Sequence, residues 1–343
     1  MTEKSSRPVI LWLLSGCLLI FCMVVIGGIT RLTGSGLSIT EWNVVMGAVP
    51  PLNEQQWNEA FEKYQQIPQF QKLNYHFTLD DFKKIFFWEY LHRLIGRLIG
   101  LVFLVPFLIF YFKGMLSKSM IRKALLLFAL GALQGFLGWF MVKSGLTERT
   151  SVSHIRLAIH LVAAFATFGF TFWVALDLIY RNEQPFAHEK IHSLVKGLFA
   201  VVLLQIIFGA FTAGLHAGRI ANTFPTMDGQ WIPDGLTALS PAWLNFFDNL
   251  LTVQFIHRCL AYVVVTLVLV LYYQVRKQKT NRSQQQGIMF LLVIILVQFL
   301  LGVFTLLSKV NVSLAVIHQA GAFFVFAASV FLLHRIRKKH VAL

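Results

Sequence analysis

Charged side chains are scarce in this chain: they make up only 13% of its 343 residues, whereas 57% of the residues are hydrophobic. Soluble domains carry about 25% charged residues, so the composition excludes an ordinary soluble protein. Apolar runs long enough to cross a bilayer as helices occur eight times. The sequence therefore predicts an all-α polytopic membrane protein. The predicted transmembrane helices are 9–28, 85–111, 121–142, 152–180, 194–216, 248–274, 286–308 and 311–335.

Acidic residues are half as numerous as basic ones, 15 against 30, and the net charge is +15. With a cytoplasmic N-terminus, only Glu3, Glu183 and Glu189 would be acids in cytoplasmic segments, and most cations would share that side. This is the positive-inside pattern, so topology explains the charge and a nucleic-acid partner is excluded. We expect both termini in the cytoplasm and contact with membrane lipid on all sides.

The sequence also lacks the features of a cleaved or imported protein. No A-x-A-like site follows the first apolar run, so we expect a retained helix. No Arg-rich, Ser-rich leader precedes that run, which favours a bacterial cytoplasmic membrane. The three cysteines, Cys17, Cys22 and Cys259, all lie inside apolar runs, so the loops contain no pair for a disulfide. Buried cysteines of this kind usually act as small core hydrophobes.

The two halves of the chain repeat one design. Residues that match in order across all four pairs of runs relate 9–180 to 194–335. Because each half has an even number of helices, both halves share one orientation in the membrane. We therefore predict two pseudo-symmetric four-helix bundles. The matched sites are Glu89, His92 and Arg93 with Gln254, His257 and Arg258; Gln134 and Gly138 with Gln298 and Gly302; His160 with His318; and Gly27 and Thr30 with Gly209 and Thr212.

Four histidines occupy matched depths in these helices, two in each half. They are His92, His160, His257 and His318. Ionisable groups inside a membrane are costly and generally functional. Neutral imidazole is an axial ligand of haem iron, and a pair of helices in a bundle suits bis-histidine ligation. Zinc is the competing metal, but it needs three or four ligands, usually with carboxylate or thiolate help.

Glu89 breaks the symmetry of the two halves. It lies one turn before His92 on the same helical face, whereas its counterpart Gln254 cannot titrate. Desolvation disfavours a buried carboxylate, so such a group can exchange protons near neutral pH. We therefore predict a reaction centre in the first half, with Glu89 as acid–base, and a plain redox cofactor in the second half. The alternative is that Arg93 or Arg97 neutralises Glu89.

Other polar groups have two interpretations. Arg93, Arg156 and Arg258 lie close in sequence to His92, His160 and His257 and could pair with haem propionates; snorkelling or interhelical pairing explains them equally well. His188 and His192, four residues apart, could bind a metal, although solvated loop positions are the simpler interpretation.

These residues together resemble the haem A synthase family. The stretches 27–37 (GGITRLTGSGL) and 222–229 (NTFPTMDG) are similar to that family, and the likeness covers nearly the whole chain. The long segment 29–84, with a helical pattern near 53–66, is similar to the alphaproteobacterial and mitochondrial branch. Some members carry a cysteine pair in this first outer loop; this chain has none there, so no role for loop thiols carries over.

The resemblance implies an oxidoreductase that converts the C8 methyl of haem O to a formyl group, giving haem A for cytochrome oxidase. It implies haem b between His257 and His318, substrate haem near His92 and His160, and Glu89 as catalytic residue. Haem O synthase is a candidate partner; the electron donor, the oxygen source and the choice between monomer and homo-oligomer stay open.

Three other protein classes are alternatives to this interpretation. A dihaem b-type electron-transfer cytochrome is the leading alternative, but its haems commonly lie near opposite membrane faces. A prenyltransferase would need acidic clusters for a magnesium diphosphate, and the sequence has no Asp-rich motif. A transporter would explain the repeat and leave the matched histidines unexplained.

Overall fold

The computed structural model describes residues 3–42, 46–147, 149–183, 188–278 and 280–336, and the described residues contain helices and no β-strand. Eight of the nine α-helices in the described residues are long and apolar enough to cross a membrane; the exception is α2. This confirms the predicted all-α polytopic class. The helices are α1 (Glu3–Leu32), α2 (Glu54–Gln65), α3 (Leu79–Phe112), α4 (Lys118–Thr147), α5 (His154–Ile179), α6 (Glu189–Gly214), α7 (Leu250–Arg276), α8 (Arg282–Leu307) and α9 (Val312–Arg335).

The start of α3 lies six residues before the predicted apolar run. Thr78 caps the helix: its hydroxyl accepts from the Asp81 amide at 3.4 Å, and the Asp81 carboxylate accepts from the Thr78 amide at 3.3 Å. This capping box fixes the helix end in a polar stretch that apolar patterning does not detect. Helix α3 therefore begins before the apolar run, and its first turns form the surface on which the segment between α1 and α3 packs.

The outer segment between α1 and α3 has its own aromatic core. Helix α2 confirms the helical pattern predicted at 53–66, and the Asn53 side chain caps it by accepting from the Gln56 amide at 2.9 Å. Tyr64, fully buried, lies against Phe82 of α3 with ring centroids 5.2 Å apart. Trp57 packs edge-on against Phe86, with ring centroids 5.0 Å apart. This cluster holds α2 against the first turns of α3.

The chain divides into two compact units, residues 1–168 and 169–343, with the division inside α5. In the first unit α1 packs along α3, and in the second α6 packs along α7 and α8 along α9. The division by repeat, 9–180 and 194–335, stays a prediction. The terminal residues 1–2 and 337–343 lie outside the described residues.

The end of α9 is held by two carboxylates of the second unit. Arg335 is only 1% exposed and donates to the carboxylate of Glu183, a half-exposed side chain, at 2.7 Å. One residue earlier, His334 contacts the Asp177 carboxylate at 3.1 Å. A buried charge is tolerated when it is paired, so these contacts hold the last turn of α9 against the end of α5 and the segment after it.

The charge pattern predicts a topology that cysteine labelling can test. In a variant whose native cysteines are replaced, we expect Glu62→Cys on α2 to react with an impermeant thiol reagent from outside the cell. Lys277→Cys, between α7 and α8, should react only after the membrane is opened. Both native side chains are exposed, so neither substitution disturbs packing. Labelling of Lys277→Cys but not Glu62→Cys in intact cells would reverse the predicted orientation.

Candidate functional site

Each of the four predicted histidines lies with its ring against a glycine of the preceding transmembrane helix. A methyl group placed on the glycine would come unusually close to the imidazole Cε1 atom in three of the four cases. Real side chains rarely approach so closely, so each glycine provides the space for the ring. The pairs are His92 with Gly27 (3.1 Å), His257 with Gly209 (3.1 Å), His318 with Gly302 (2.9 Å) and His160 with Gly138 (3.5 Å).

The four imidazoles share an unusual polar environment. The Nδ1 atom of each is buried and finds no hydrogen-bond partner of good geometry within the described part of the chain, while each side chain as a whole is partly exposed. His92 lies within electrostatic range of His160, and His257 within range of His318. Neutral imidazoles paired in this way leave ring nitrogen available to a group that imidazole can coordinate. Haem iron is such a group, and the donor set suits it.

The described residues offer no comparable zinc site. Within them, no group of three or more His, Cys, Asp and Glu side chains comes together as metal ligands would. His192 instead contacts the carbonyl of Ile336 through Nδ1 at 2.6 Å, and His188 caps α6 by accepting from the Ile191 amide at 3.4 Å. One ring nitrogen of each of these two histidines thus serves a local structural contact, and neither histidine lies in a group of three or more metal-ligating side chains within the described residues.

Glu89 is buried, at 3% exposure, and is surrounded by donors. Its Oε2 accepts from the Ser38 hydroxyl at 2.8 Å and from the Ile39 amide at 2.9 Å. Its Oε1 accepts from Nη2 of Arg93 at 2.7 Å. The ion pair considered as the alternative to catalysis is thus present with Arg93. Removing one partner of a buried pair costs about 3–5 kcal/mol, so Arg93 is important for holding this carboxyl in place.

Gln254 occupies the equivalent place in the second half with the opposite polarity. Its amide nitrogen donates to the carbonyls of Ala217 at 3.0 Å and Ile220 at 2.7 Å. Its oxygen accepts from Arg258 at 3.2 Å. The segment before α3 therefore presents hydrogen-bond donors to Glu89, and the segment before α7 presents acceptors to Gln254. Each side chain matches its own loop, so the exchange of carboxyl for amide is built into the surrounding backbone.

The arginines predicted to meet propionates are directed elsewhere. Arg93 donates to the carbonyls of Glu41 at 2.8 Å and Ile39 at 2.9 Å. Arg156 donates to the Phe140 carbonyl at 2.8 Å and lies over the ring of the same residue. Arg156 thus pairs between helices, whereas Arg93 holds the segment before α3; pairing of these residues with haem propionates stays a prediction. Arg258 likewise donates to backbone carbonyls, those of Ala221 (2.6 Å), Thr223 (2.9 Å) and Thr226 (3.3 Å).

Sequence reasoning missed Ser38 as a member of the site and gave Gln298 no role. Gln298 donates to the backbone carbonyl of His318 at 2.8 Å, which ties α8 to the histidine helix. Ser38 follows a turn at Gly34, whose φ of +69° suits glycine, and this turn brings the chain back over α3. The glycine–serine–glycine stretch at 34–36, within the stretch 27–37, was the available signal for this turn.

Comparison with known proteins identifies the family. The family model for COX15-CtaA, cytochrome oxidase assembly protein, matches residues 10–330. The chain belongs to the COX15-CtaA family. It is 48% identical to a haem A synthase of Flavobacterium johnsoniae over 98% of this chain and 100% of that protein. Identity to haem A synthases of Nitrosospira multiformis and Bartonella bacilliformis is 45% and 44%, over 97% and 96% of this chain and 95% and 92% of theirs.

The glycine contacts of this COX15-CtaA member predict a specific loss. Gly302→Ala would place a methyl 2.9 Å from Cε1 of His318, so the ring must move; overpacking of this kind costs about 1–3 kcal/mol. We expect less low-spin haem per purified protein, measured by pyridine haemochrome and electron paramagnetic resonance spectra. Gly131→Ala is the matched control, because its methyl would meet no atom within 4 Å. Wild-type haem content and spectrum in Gly302→Ala would contradict the proposed ring position.

Proposed function

We propose that this protein is a haem A synthase, an oxidoreductase that converts the C8 methyl of haem O to a formyl group. The observation that carries the proposal is the single asymmetry between two matched histidine pairs: a buried carboxyl, Glu89, accompanies one pair, and an amide, Gln254, accompanies the other. The family match and the near full-length identity to haem A synthases support the same reaction. An enzyme of haem A biosynthesis fits the family's part in cytochrome oxidase assembly.

In the second half, His257 and His318 are the proposed axial ligands of haem b. Gly209 and Gly302 leave room for the two rings and so set their orientation. Gln298 holds the backbone of His318. Haem b bound there would supply reversible one-electron chemistry. Gln254 cannot titrate, so this half contributes no acid–base group from that position.

In the first half, His92 and His160 are the proposed ligands that position the substrate haem. Helices α7 and α8 pack along more of their length than α3 and α4, so the first unit leaves more space between its corresponding helices. That difference suits a substrate that enters and leaves. Glu89 lies one turn from His92, and its Oε2 is the proposed site of proton acceptance. Arg93, one turn further along the same helix, holds the Glu89 carboxyl through its 2.7 Å hydrogen bond to Oε1.

The proposal includes the membrane location, the orientation and the partners of the protein. A bacterial cytoplasmic membrane with both termini in the cytoplasm places the outer segment and Glu89 toward the external face. Haem O is the substrate, and haem O synthase is a proposed partner that would supply it.

The haem b proposal makes a prediction of its own. His257→Ala and His318→Ala should each lose low-spin haem b and abolish haem A formation, because one axial ligand does not keep the iron low-spin. His76→Ala is the control, since that histidine is exposed in the segment before α3. Pigment analysis and optical spectra of purified protein measure the result. Full haem b with an unchanged low-spin spectrum in both ligand variants would refute the assignment.

The role of Glu89 is tested by Glu89→Gln. We expect this variant to insert and keep haem b, yet to accumulate haem O with little haem A, since loss of an acid–base group costs about 10²–10⁴-fold in rate. The amide also meets the donors of Ser38 and Ile39 less well, so a control for loop docking is needed. Tyr90→Phe removes a contact between α3 and the same loop, the 2.8 Å hydrogen bond to Ala48, and leaves the carboxyl. Near-normal haem A from Glu89→Gln would show that the carboxyl is structural.

A further inference from the structure

A cavity of about 160 Å³ with both charged and apolar side chains in its wall lies beside Glu89, between the outer segment, α2 and α3. Ser38, Ile39 and Arg93 form part of its wall, and these are the three residues that donate to the Glu89 carboxyl. Ser38 is 2% exposed, and its hydroxyl can both accept and donate a proton. Ser38 therefore contacts the carboxyl and also lines the cavity.

The position of Glu89 on α3 suits a link between two sides of the helix. The cavity-lining residues of α3, namely Phe86, Tyr90, Arg93 and Arg97, form one stripe along it. At about 100° per residue, His92 projects about 100° away from Arg93 around the helix, and Glu89 projects between them. The carboxyl is thus adjacent to the proposed substrate side and to the cavity side at once.

The far rim of the cavity is charged and faces solvent. Lys63 of α2 contacts the Glu41 carboxylate at 2.6 Å, and both side chains are about half exposed, at 53% and 54%. Gln56 and Glu59 of α2 also line the cavity and are exposed. A space of this size with charged side chains in its wall has room for several water molecules, each of which needs only about 10–15 Å³ of such volume. Water within it would be continuous with the outer aqueous phase.

The cavity depends on an element that the first half adds to the repeat. Helix α2 supplies Gln56, Glu59, Ala60 and Lys63 to its wall, and it belongs to the outer segment between α1 and α3. At the equivalent place in the second half, backbone carbonyls fill the hydrogen bonds of Gln254. The charged cavity therefore accompanies the half with the titratable side chain.

We propose that this cavity is the route by which Glu89 exchanges protons with the outer aqueous phase. The proposal rests on the acid–base role of Glu89 in the proposed function. A catalytic carboxyl must regain its starting protonation in every turnover, so a buried one needs a path to bulk water. The proton leaves Oε2 of Glu89 for Oγ of Ser38 as the hydroxyl proton of Ser38 passes to cavity water. Water then carries it past the Glu41–Lys63 pair.

The first experiment measures access and needs no turnover. In a background without native cysteines, Thr40→Cys places a thiol in the cavity wall. A small impermeant methanethiosulfonate added outside should label it, and adding Ala60→Leu, which fills the cavity, should slow labelling about tenfold or more. Gln66→Leu, at the exposed end of the same helix, should leave the rate unchanged. Failure to label Thr40→Cys in protein with normal haem content would overturn the proposal.

The second experiment measures the conversion of haem O to haem A. Ala60→Leu should lower the rate about tenfold, less than the about 10²–10⁴-fold expected for loss of the acid–base group itself, and should raise the solvent deuterium isotope effect. Gln66→Leu should match wild type in both. Ser38→Ala should behave as Ala60→Leu does, and Ser38→Thr, which keeps a hydroxyl, should restore rate and isotope effect.

The outcomes distinguish a failure of the proposed function from a failure of the proposed proton route. Wild-type protein that makes no haem A would reject the proposed function, whatever the labelling shows. Active wild-type protein with a normal rate and isotope effect in both Ala60→Leu and Ser38→Ala would reject the proton route alone, provided that Ala60→Leu still blocks labelling of Thr40→Cys. A slow Ser38→Thr variant with an unchanged isotope effect would likewise count against a relay through the hydroxyl.

Discussion

The close approach of histidine rings to glycines is the constraint on which the rest of the site depends. A glycine on α1, α6 or α8 leaves the volume that a ring from the next transmembrane helix occupies, and Gly138 on α4 makes an ordinary contact with His160. The constraint is steric and acts at short range, so it limits the orientations that the ring can take. A metal ligand must be held in direction as well as in position. Glycine packing would supply that control for the proposed ligands in both halves of the repeat.

The two halves diverge through the polarity of their outer loops. In the first half, the Ser38 hydroxyl and Ile39 amide meet a carboxyl; in the second, backbone carbonyls meet the amide of Gln254. Arginines four residues later, Arg93 and Arg258, anchor the loops in the same way. Repeat-matched positions thus hold a carboxyl in one half and an amide in the other. The change needs only a loop that turns donors rather than acceptors toward the helix.

Much of this architecture is predictable from the chain alone because the bilayer imposes simple rules. Transmembrane helices must satisfy their own backbone hydrogen bonds, so apolar runs report them directly. The helical pattern near 53–66 proved to be α2, since a cap at Asn53 and periodic apolar residues define it locally. The six extra residues at the start of α3 were not predictable in this way. A capping box extends that helix through polar sequence, where hydropathy carries no signal.

The sequence by itself determined the helical class, the repeat, the four histidines and the asymmetry between Glu89 and Gln254, because periodicity and residue identity are local properties. Only the tertiary structure decided what those residues touch. The donors on Ser38 and Ile39 and the cavity beside them arise from a chain segment some fifty residues earlier that folds back over α3. Contacts at such separation depend on how the outer segment packs its aromatic core, which no local pattern encodes.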